Sequence, residues 1–185
     1  SEHGTDPKDL DIIACRGGNM PGIEGGCYFV NQHLINVCTY APYKEHASNI
    51  ACILGYKLAA PYSTPVIICD GTGVDELDPL ARLTGIPSIN VIPTNHVLNS
   101  RMVSRITAQK LGYKYENCNF IVCHLGGGIG LTLHSHGRIA DCCSSDIGPM
   151  SPERAGRISC IRMADFCFNS GMNVTEIKRY LYGGS

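Results

Sequence analysis

The sequence predicts an α/β protein, because short apolar strands alternate with amphipathic helices along the chain. Residues 9–15 and 65–69 have the length and composition of buried strands, and helical periodicity is clear between them at residues 45–60. A third apolar run, residues 120–123, ends in a glycine-rich loop that leads into a hairpin pattern. The change of hydrophobic period between these segments is typical of sheets covered by helices.

Composition limits the classes of partner. The 185 residues include 15 basic and 16 acidic side chains, so the net charge is −1 and no basic run is present. This balance argues against nucleic acid and against an anionic membrane surface as partners. No apolar run approaches the roughly 20 residues of a membrane span. With 44% hydrophobic and 17% charged residues, the composition is that of a globular domain.

The eleven cysteines are interpreted as reduced core residues. No pair has C-x-x-C spacing, and several lie inside apolar runs, where a free thiol acts as a small hydrophobe. The odd count and the absence of a signal peptide favour a cytoplasmic location with free thiols.

The first strand runs into Arg16 and two glycines, where a guanidinium could bind a carboxylate or phosphate, although most such pairs are surface turns. Residues 27–30 read as extended and 31–37 as a helical turn. His46 and Asn49 lie near the start of the helix at 45–60, a position suited to anions, but surface or capping roles are commoner there. The residues predicted to face inward from this helix are Ala47, Ile50, Ala51, Leu54 and Leu58.

Asp70 directly follows the strand at 65–69 and precedes a glycine. Open α/β sheets place ligand groups at such carboxyl ends, and a plain Asx turn explains the residue equally well. A short helix at 75–83 and a turn-rich segment at 87–93 follow, the latter favouring a lobe boundary.

A second amphipathic helix is predicted at 95–111, with His96 in its first turn. Leu98, Met102 and Ile106 are expected to face inward, and Gly112 is expected to be the C′ residue.

The glycine-rich stretch carries the clearest chemical signal. His124 ends a strand, and Gly126, Gly127 and Gly128 follow closely. Glycines after a strand expose successive N–H groups to an anion, most often phosphate. Dinucleotide binding is the least favoured interpretation, because the run lacks true G-x-G-x-x-G spacing and precedes a hairpin instead of a helix.

The hairpin is predicted from strands at 129–133 and 138–142. His134 and His136 lie around its turn, where solvated turn residues are favoured over metal ligands. Ser151 and Pro152 predict a helix start with Arg154 in the first turn. Asn173 and Glu176 have capping-box spacing before a final helix that ends at Gly183.

Seven motifs in order resemble those of the butyrate kinase branch of the acetate kinase family, within the actin and sugar-kinase superfamily. The motifs are Cys15-Arg-Gly-Gly18 with Ile23-Glu-Gly-Gly26; Glu45-His-Ala-Ser-Asn49; Asp70 with Val74-Asp-Glu76; His96 with Leu98-Asn99; His124-Leu-Gly-Gly-Gly-Ile129; Gly137-Arg-Ile139 with Asp141; and Gly148-Pro-Met-Ser-Pro-Glu-Arg154. The similarity spans nearly the whole chain, and seven motifs in the family's order are far more specific than any single one.

The resemblance implies a two-lobed, ribonuclease-H-like fold that is partial in each lobe. Residues 1–74 would form the later part of the first lobe, and residues 75–185 the earlier part of the second. Family members are roughly twice as long as these 185 residues, with a phosphate loop before the matching region and an adenosine-binding segment after it. The 185-residue chain is therefore expected to be inactive alone, and the full-length protein to form a homodimer or higher homo-oligomer.

The resemblance also implies an enzyme that uses ATP and Mg²⁺ to phosphorylate a short-chain, butyrate-like carboxylate. Arg16, Asp70, His96 and Arg154 would be catalytic, and Asp70 would also bind the metal. Arg16, His46 and Asn49 would bind the substrate. His124, Gly126, Gly127 and Gly128 would bind the ATP phosphates.

Three positions depart from the family pattern. Gly71 replaces a usual proline, Asn95 a usual phenylalanine, and Gly130 a usual serine. These changes alter the shape of the expected site while its charged residues remain. They motivate an alternative hypothesis, a non-catalytic nucleotide-binding or scaffold lobe.

Overall fold

The computed structural model describes residues 6–20, 22–40, 47–144 and 146–183. Within these ranges the chain forms strands and helices in two compact units, Ser1–Glu76 with His96–Leu98, and Leu77–Asn95 with Asn99–Ser185. The strands are β1 (Ile13–Arg16), β2 (Cys27–Phe29), β3 (Val66–Cys69), β4 (Asn119–Leu125), β5 (Ile129–Ser135) and β6 (Arg138–Cys143). The α-helices are α1 (Gln32–Tyr40), α2 (Ser48–Ala59), α3 (Val97–Lys110), α4 (Cys160–Asn169) and α5 (Val174–Leu181). The predicted α/β class is confirmed.

The sheet of the first unit has the order β1-β3-β2 among the described strands. β1 and β3 are parallel, with Arg16 opposite Cys69, whereas β2 is antiparallel to β3. Parallel strands need a long crossover, which α1 and α2 provide here. The carboxyl ends of β1 and β3 consequently meet at one edge of the sheet.

Helix α2 packs through its small residues, so the predicted inward face is wrong. Ile50, Leu54 and Leu58 are each more than half exposed in the described chain. The buried residues of the helix are Ser48, Asn49, Cys52, Gly55 and Ala59. A Cβ on Gly55 would collide with Cys15 Sγ, which shows how closely the helix approaches β1. Small side chains allow that approach, and helical period alone cannot distinguish it from a large apolar stripe.

The core of the first unit is built around Met20, Cys38, Cys52 and Ile68. A hydrogen bond to Cys38, together with burial, raises the pKa of the Cys52 thiol far above its usual range. The same hydrogen bond lowers the pKa of Cys38. These two cysteines are core residues, as predicted.

The prediction that all cysteines are free thiols is wrong for one pair. Cys27 and Cys69 form a disulfide, with their Cα atoms 4.1 Å apart. They lie directly opposite each other on β2 and β3. In the neighbouring residue pair, the Asp70 N–H donates to Gly26 C=O. Because hydrogen-bonded and non-hydrogen-bonded pairs alternate, the two cysteines form a non-hydrogen-bonded pair, where opposing Cα atoms are closest. A sequence separation of 42 gave no sign of this register.

The second unit contains an antiparallel meander, β4-β5-β6. Its second turn is His136-Gly137, where both residues have positive φ, 48° and 84°. That combination is the type I′ turn of a two-residue hairpin, so the predicted hairpin and the turn position of His136 are confirmed.

His134, predicted to be a solvated turn residue, is instead fully buried in β5. Its Nδ1 lies 2.7 Å from the Tyr115 hydroxyl, and its Nε2 lies 3.0 Å from Thr132 Oγ1. The strand extends two residues beyond the predicted end, and a register shift at Leu133/His134 accompanies the change. Both ring nitrogens have hydrogen-bond partners, which permits the imidazole to be buried.

Helix α3 ends as predicted but packs on a different face. Gly112, with φ +78°, donates to Gln109 C=O, and Tyr113 donates to Ala108 C=O, which together form a Schellman motif. The predicted inward residues Leu98, Met102 and Ile106 are each at least 40% exposed in the described chain. The buried positions of the helix are Val97, Ser100, Arg101, Ser104 and Ala108.

The carboxyl-terminal part gives one wrong and one confirmed prediction. Ser151 does not start a helix, because its N–H donates to Arg154 C=O and the two residues close a tight turn. The next helix is α4. Helix α5 begins at the predicted capping box, in which Asn173 and Glu176 each accept a backbone N–H from the other. None of the described helices has both the length and the apolar character needed to cross a membrane.

Candidate functional site

The first group of candidate residues lies at the carboxyl edge of the β1–β3 pair. Arg16 ends β1, and Asp70 follows β3, so the strand register brings the two residues to the same edge. Arg16 is exposed. Asp70 has a left-handed conformation, φ 44°, and its Oδ1 accepts the Gly26 N–H at 2.9 Å.

The loops that carry these two residues are in direct backbone contact. A Cβ on Gly17 would lie 2.6 Å from Gly71 Cα, and a Cβ on Gly71 would lie 2.7 Å from Gly18 O. Real side-chain carbons are not found at such distances. The glycines therefore set the spacing between Arg16 and Asp70, and Gly71, which departs from the family pattern, is part of this contact.

Asn49 lies beneath the same loop. It is 5% exposed, its Oδ1 accepts the Asn19 N–H at 2.8 Å, and its Nδ2 donates to Cys38 C=O at 3.4 Å. The side chain thus connects α2 to the loop that follows Arg16. Its predicted contact with a substrate remains a prediction.

The remaining two candidates of the first lobe are less defined. His46 lies outside the described residues. His96 immediately precedes α3, is half-buried, and groups with the first unit. Its predicted role toward a phosphoryl group also remains a prediction.

The second group of candidates surrounds the glycine loop between β4 and β5. Gly126, Gly127 and Gly128 form the complete connection, since Leu125 pairs with Ile129. Gly127 C=O accepts the Glu153 N–H at 2.9 Å. A Cβ on Gly127 would collide with the Glu153 carboxylate. The hydrogen bond and this close approach show that the Ser151–Arg154 turn packs against the glycine loop.

Arg154 belongs to this turn and is surrounded by polar and aromatic groups. Its Nη1 donates to Glu153 C=O at 2.7 Å, and its Nε lies 3.8 Å from Asp146 Oδ1. The guanidinium carbon lies 4.4 Å from the centre of the Tyr182 ring. Arg154 also borders a cavity of about 740 Å³ whose walls include Met163. The cation is held in place by several contacts and is only partly exposed.

His124, the last histidine of the predicted site, lies on β4 next to the glycine loop. Asn99 Nδ2, on α3, is 2.9 Å from His124 Nδ1. A Cβ on Gly126 would lie 3.2 Å from His124 Nε2. The imidazole therefore spans the distance between the helix and the loop.

A metal site is not preformed in the described residues, where no three His, Cys, Asp or Glu side chains cluster suitably. Asp70 is a half-buried carboxylate directly after β3, and its Oδ1 accepts the Gly26 N–H. Mg²⁺ is commonly bound by one or two carboxylates, with water and substrate phosphates completing its coordination. The position of Asp70 fits a metal that arrives with a nucleotide.

Sequence reasoning missed three side chains of these groups. Asn99 was noted in a motif without a role, while Glu153 and Asp146 contact Arg154. Asn95 is a further case, because its Oδ1 is buried with no hydrogen-bond partner among the described residues and would lie 3.7 Å from a Cβ on Gly130. Asn95 and Gly130 are two of the three departures from the family pattern, and only the structure shows that they are neighbours.

Comparison with curated proteins gives close matches along nearly the whole chain. A probable butyrate kinase from Phocaeicola vulgatus is 41% identical over 179 residues, which cover 96% of this chain and 50% of the relative. A probable butyrate kinase from Enterococcus faecalis is 37% identical over 178 residues, covering 95% and 49%. The chain thus spans about half the length of these relatives. No family model matches it.

Solved structures show the same fold at lower identity. Acetate kinase from Porphyromonas gingivalis superposes with a TM-score of 0.80 at 15% identity, over 96% of this chain and 48% of that one. A propionate kinase from Francisella tularensis superposes with a TM-score of 0.72 at 22% identity, over 95% of this chain and 48% of that one. Acetate kinase from Entamoeba histolytica superposes with a TM-score of 0.73 at 17% identity, over 96% of this chain and 48% of that one.

The predicted partial two-lobed kinase fold is confirmed by these superpositions. The sequence matches extend across both units and include the strands, loops and turn that carry the candidate residues. In sequence the chain is similar to probable butyrate kinases, and in fold it is similar to acetate and propionate kinases.

Proposed function

We propose that this chain supplies catalytic and nucleotide-binding residues of an ATP-dependent kinase that phosphorylates a short-chain, butyrate-like carboxylate. The observation that carries the proposal is the sequence match to two probable butyrate kinases over about 95% of the chain. The positions of the candidate residues support it. Each unit contributes one group, built around an arginine and a glycine-dependent loop.

The proposed chemistry does not require a general base. A carboxylic acid has a pKa of about 4.3, so the nucleophile is already ionised at neutral pH. Phosphoryl transfer then depends on positioning and on neutralising the charge of the transferring group. Two arginines, histidine N–H groups and backbone N–H groups are suitable for this task, whereas no proton acceptor is needed.

In this proposal the first unit serves the acceptor side of the reaction. The exposed guanidinium of Arg16 binds the substrate carboxylate or the transferring phosphoryl group, with His46 and Asn49 near the substrate. Asp70 would hold Mg²⁺, which neutralises phosphate charge when bound. His96 donates to the equatorial oxygens of the phosphoryl group.

The second unit serves ATP. Backbone N–H groups of Gly126, Gly127 and Gly128 and the imidazole of His124 bind its phosphates. Arg154 neutralises charge that develops in the transition state. The contacts of Arg154 with Asp146 and Tyr182 hold the guanidinium in one place, which reduces the reorganisation needed during the reaction.

The direct test is formation of an acyl phosphate. The 185-residue chain and the longest natural polypeptide that contains it are incubated with ATP and carboxylates of about two to five carbons, and the product is trapped with hydroxylamine. We expect turnover with a butyrate-like acid in the longer protein. ATP binding without turnover on any acid would favour the alternative, a non-catalytic nucleotide-binding lobe.

The arginines provide a second test. Arg16→Ala and Arg154→Ala should each lower kcat by about 10³-fold, as expected for arginines that neutralise a transferring phosphoryl group. Arg162→Ala is the matched control, because Arg162 is exposed on α4 and has no assigned role. A loss below tenfold in either variant would contradict the role of that arginine.

Cellular context and assembly complete the proposal. We assign the protein to the cytoplasm, and we expect the full-length protein to form a homodimer or larger homo-oligomer. Light scattering of the purified protein tests the assembly, and a monomer at working concentration would contradict it.

A further inference from the structure

Asn99 makes a side-chain contact with His124 that is not needed for any of the proposed roles. It lies in the first turns of α3, exposed toward solvent, and its amide nitrogen is 2.9 Å from His124 Nδ1. Both residues belong to the second unit. The contact joins two elements that are 25 residues apart in the chain.

The hydrogen-bonding chemistry of the two groups indicates which ring nitrogen carries the imidazole proton. An amide nitrogen can only donate, so the ring nitrogen facing it must accept. A neutral imidazole has one donor and one acceptor nitrogen. With Nδ1 accepting from Asn99, the proton of neutral His124 is on Nε2.

The proton-bearing nitrogen is the one beside the glycine loop. Nε2 is the ring atom that a Cβ on Gly126 would meet, at 3.2 Å. A donor at this position adds a side-chain N–H to the backbone N–H groups of the loop. With the opposite tautomer, an acceptor lone pair would lie there instead and would repel a phosphate oxygen.

We propose that Asn99 is a positioning residue, which holds His124 in the Nε2–H tautomer and orients its N–H toward an anionic phosphate at the glycine loop. The assignment of the tautomer is argued from the contact between the two side chains. The assignment of the phosphate rests on the proposed function. The two parts can therefore be tested separately.

The tautomer is tested by long-range ¹H–¹⁵N NMR of the ¹⁵N-labelled full chain. Spectra are recorded near pH 8, where an ordinary imidazole, with a pKa of about 6.5, is neutral. The seven histidines require assignment, and His124→Gln identifies the signals of His124 by their loss. We expect Nδ1 to be the bare nitrogen and Nε2 to carry the proton. A proton on Nδ1 would overturn the proposal.

Two variants at position 99 change the hydrogen bond in opposite ways. Asn99→Ala removes the donor, and we expect the signals of His124 to move toward a mixture of tautomers. Asn99→Asp presents only acceptor oxygens, and we expect the proton to move to Nδ1. Gln109→Ala, an exposed amide on the same helix, should leave His124 unchanged. Identical His124 spectra in the parent and in Asn99→Ala would refute the positioning role.

The effect on phosphate binding is measured in the form of the protein that shows kinase activity. Partners that orient metal-bound histidines contribute about 10- to 100-fold, so we expect kcat/KM for ATP to fall about tenfold in Asn99→Ala and in Asn99→Asp. The substitution Asn99→Ala should have little further effect in a His124→Gln background, because glutamine supplies its own N–H donor. An unchanged kcat/KM would overturn the phosphate assignment.

The outcomes separate this inference from the proposed function. A tautomer that changes with residue 99 in a protein without turnover on any acid would support the positioning role and contradict the kinase. Turnover with an unchanged tautomer in both variants at position 99 would support the kinase and contradict the positioning role.

Discussion

Substitution of Gly71 by alanine tests whether the two loops of the first candidate group are spaced by their glycines. The added Cβ would lie 2.7 Å from Gly18 O, whereas ordinary contacts begin at 3.4 Å. The loops would have to separate by about 0.7 Å, because the atom in the way belongs to the backbone and cannot rotate aside. Asp70 is attached to one loop and Arg16 to the other.

The expected cost follows from overpacking. Extra methyl groups in a tight contact cost about 1–3 kcal/mol, and the lower entropy of the unfolded chain offsets about 0.4–1 kcal/mol of this. We therefore expect the free energy of unfolding to fall by about 1–2 kcal/mol. With a urea dependence of about 2 kcal/mol per molar, the midpoint should fall by about 0.5–1 M.

The assay is urea denaturation followed by circular dichroism, with Gly85→Ala as the matched control. A Cβ on Gly85 would meet nothing within 4 Å, so that variant should be neutral or slightly stabilised. If Gly71→Ala proves as stable as Gly85→Ala, the close contact does not exist in solution.

The double variant of Gly17 and Gly71 adds a sharper test. A Cβ on Gly17 would lie 2.6 Å from Gly71 Cα, so both substitutions separate the same pair of loops. Once the loops are apart, the second Cβ should cost less, and the double variant should be more stable than additivity predicts by about 1 kcal/mol. Strict additivity would refute a shared contact.

Three further predictions follow from single contacts. Asn49→Ala should lower the free energy of unfolding by about 2 kcal/mol, because one buried and one part-buried hydrogen bond are lost. Weaker carboxylate binding without any loss of stability would instead assign the residue to the substrate. Gly130→Ser should be about 0.5–1.5 kcal/mol more stable than Gly130→Ala in urea denaturation, because its hydroxyl can donate to Asn95 Oδ1, which accepts no hydrogen bond from any described residue. Equal stability of the two variants would contradict this. Cys27→Ser should lower the free energy of unfolding by about 4 kcal/mol, because the disulfide to Cys69, at a sequence separation of 42, is lost. A reductant should destabilise the parent equally and leave the variant unaffected. A parent whose stability does not respond to reductant would show that the two thiols are free.

Motifs whose signal is local were predicted well from the sequence. The capping box at Asn173, the C′ glycine at Gly112 and the turn at His136 each depend on residues that lie within a few positions of one another. Hydrogen bonds of this range are determined by residue type and spacing, so the tertiary fold need not be known.

Helix faces were predicted poorly, and the two errors have one cause. Both α2 and α3 carry a stripe of large apolar residues and a stripe of small or polar ones. Periodicity identifies both stripes but not which one packs inward. Buried polar side chains on both helices have hydrogen-bond partners from distant segments: the Asn19 N–H donates to Asn49 Oδ1, and Arg101 Nη1 donates to Gly137 C=O.

The sequence by itself determined the fold class and the order of the motifs, because these depend on local pattern and on side-chain chemistry. The tertiary structure alone decided which distant residues meet. The register of β2 on β3 paired Cys27 with Cys69, and the packing of α3 placed Asn99 against His124. Such contacts depend on where the backbone places each side chain, and residue type does not encode that position. The sequence predicted a phosphate site at the glycine loop, but the contact between His124 and Asn99 is visible only in the fold.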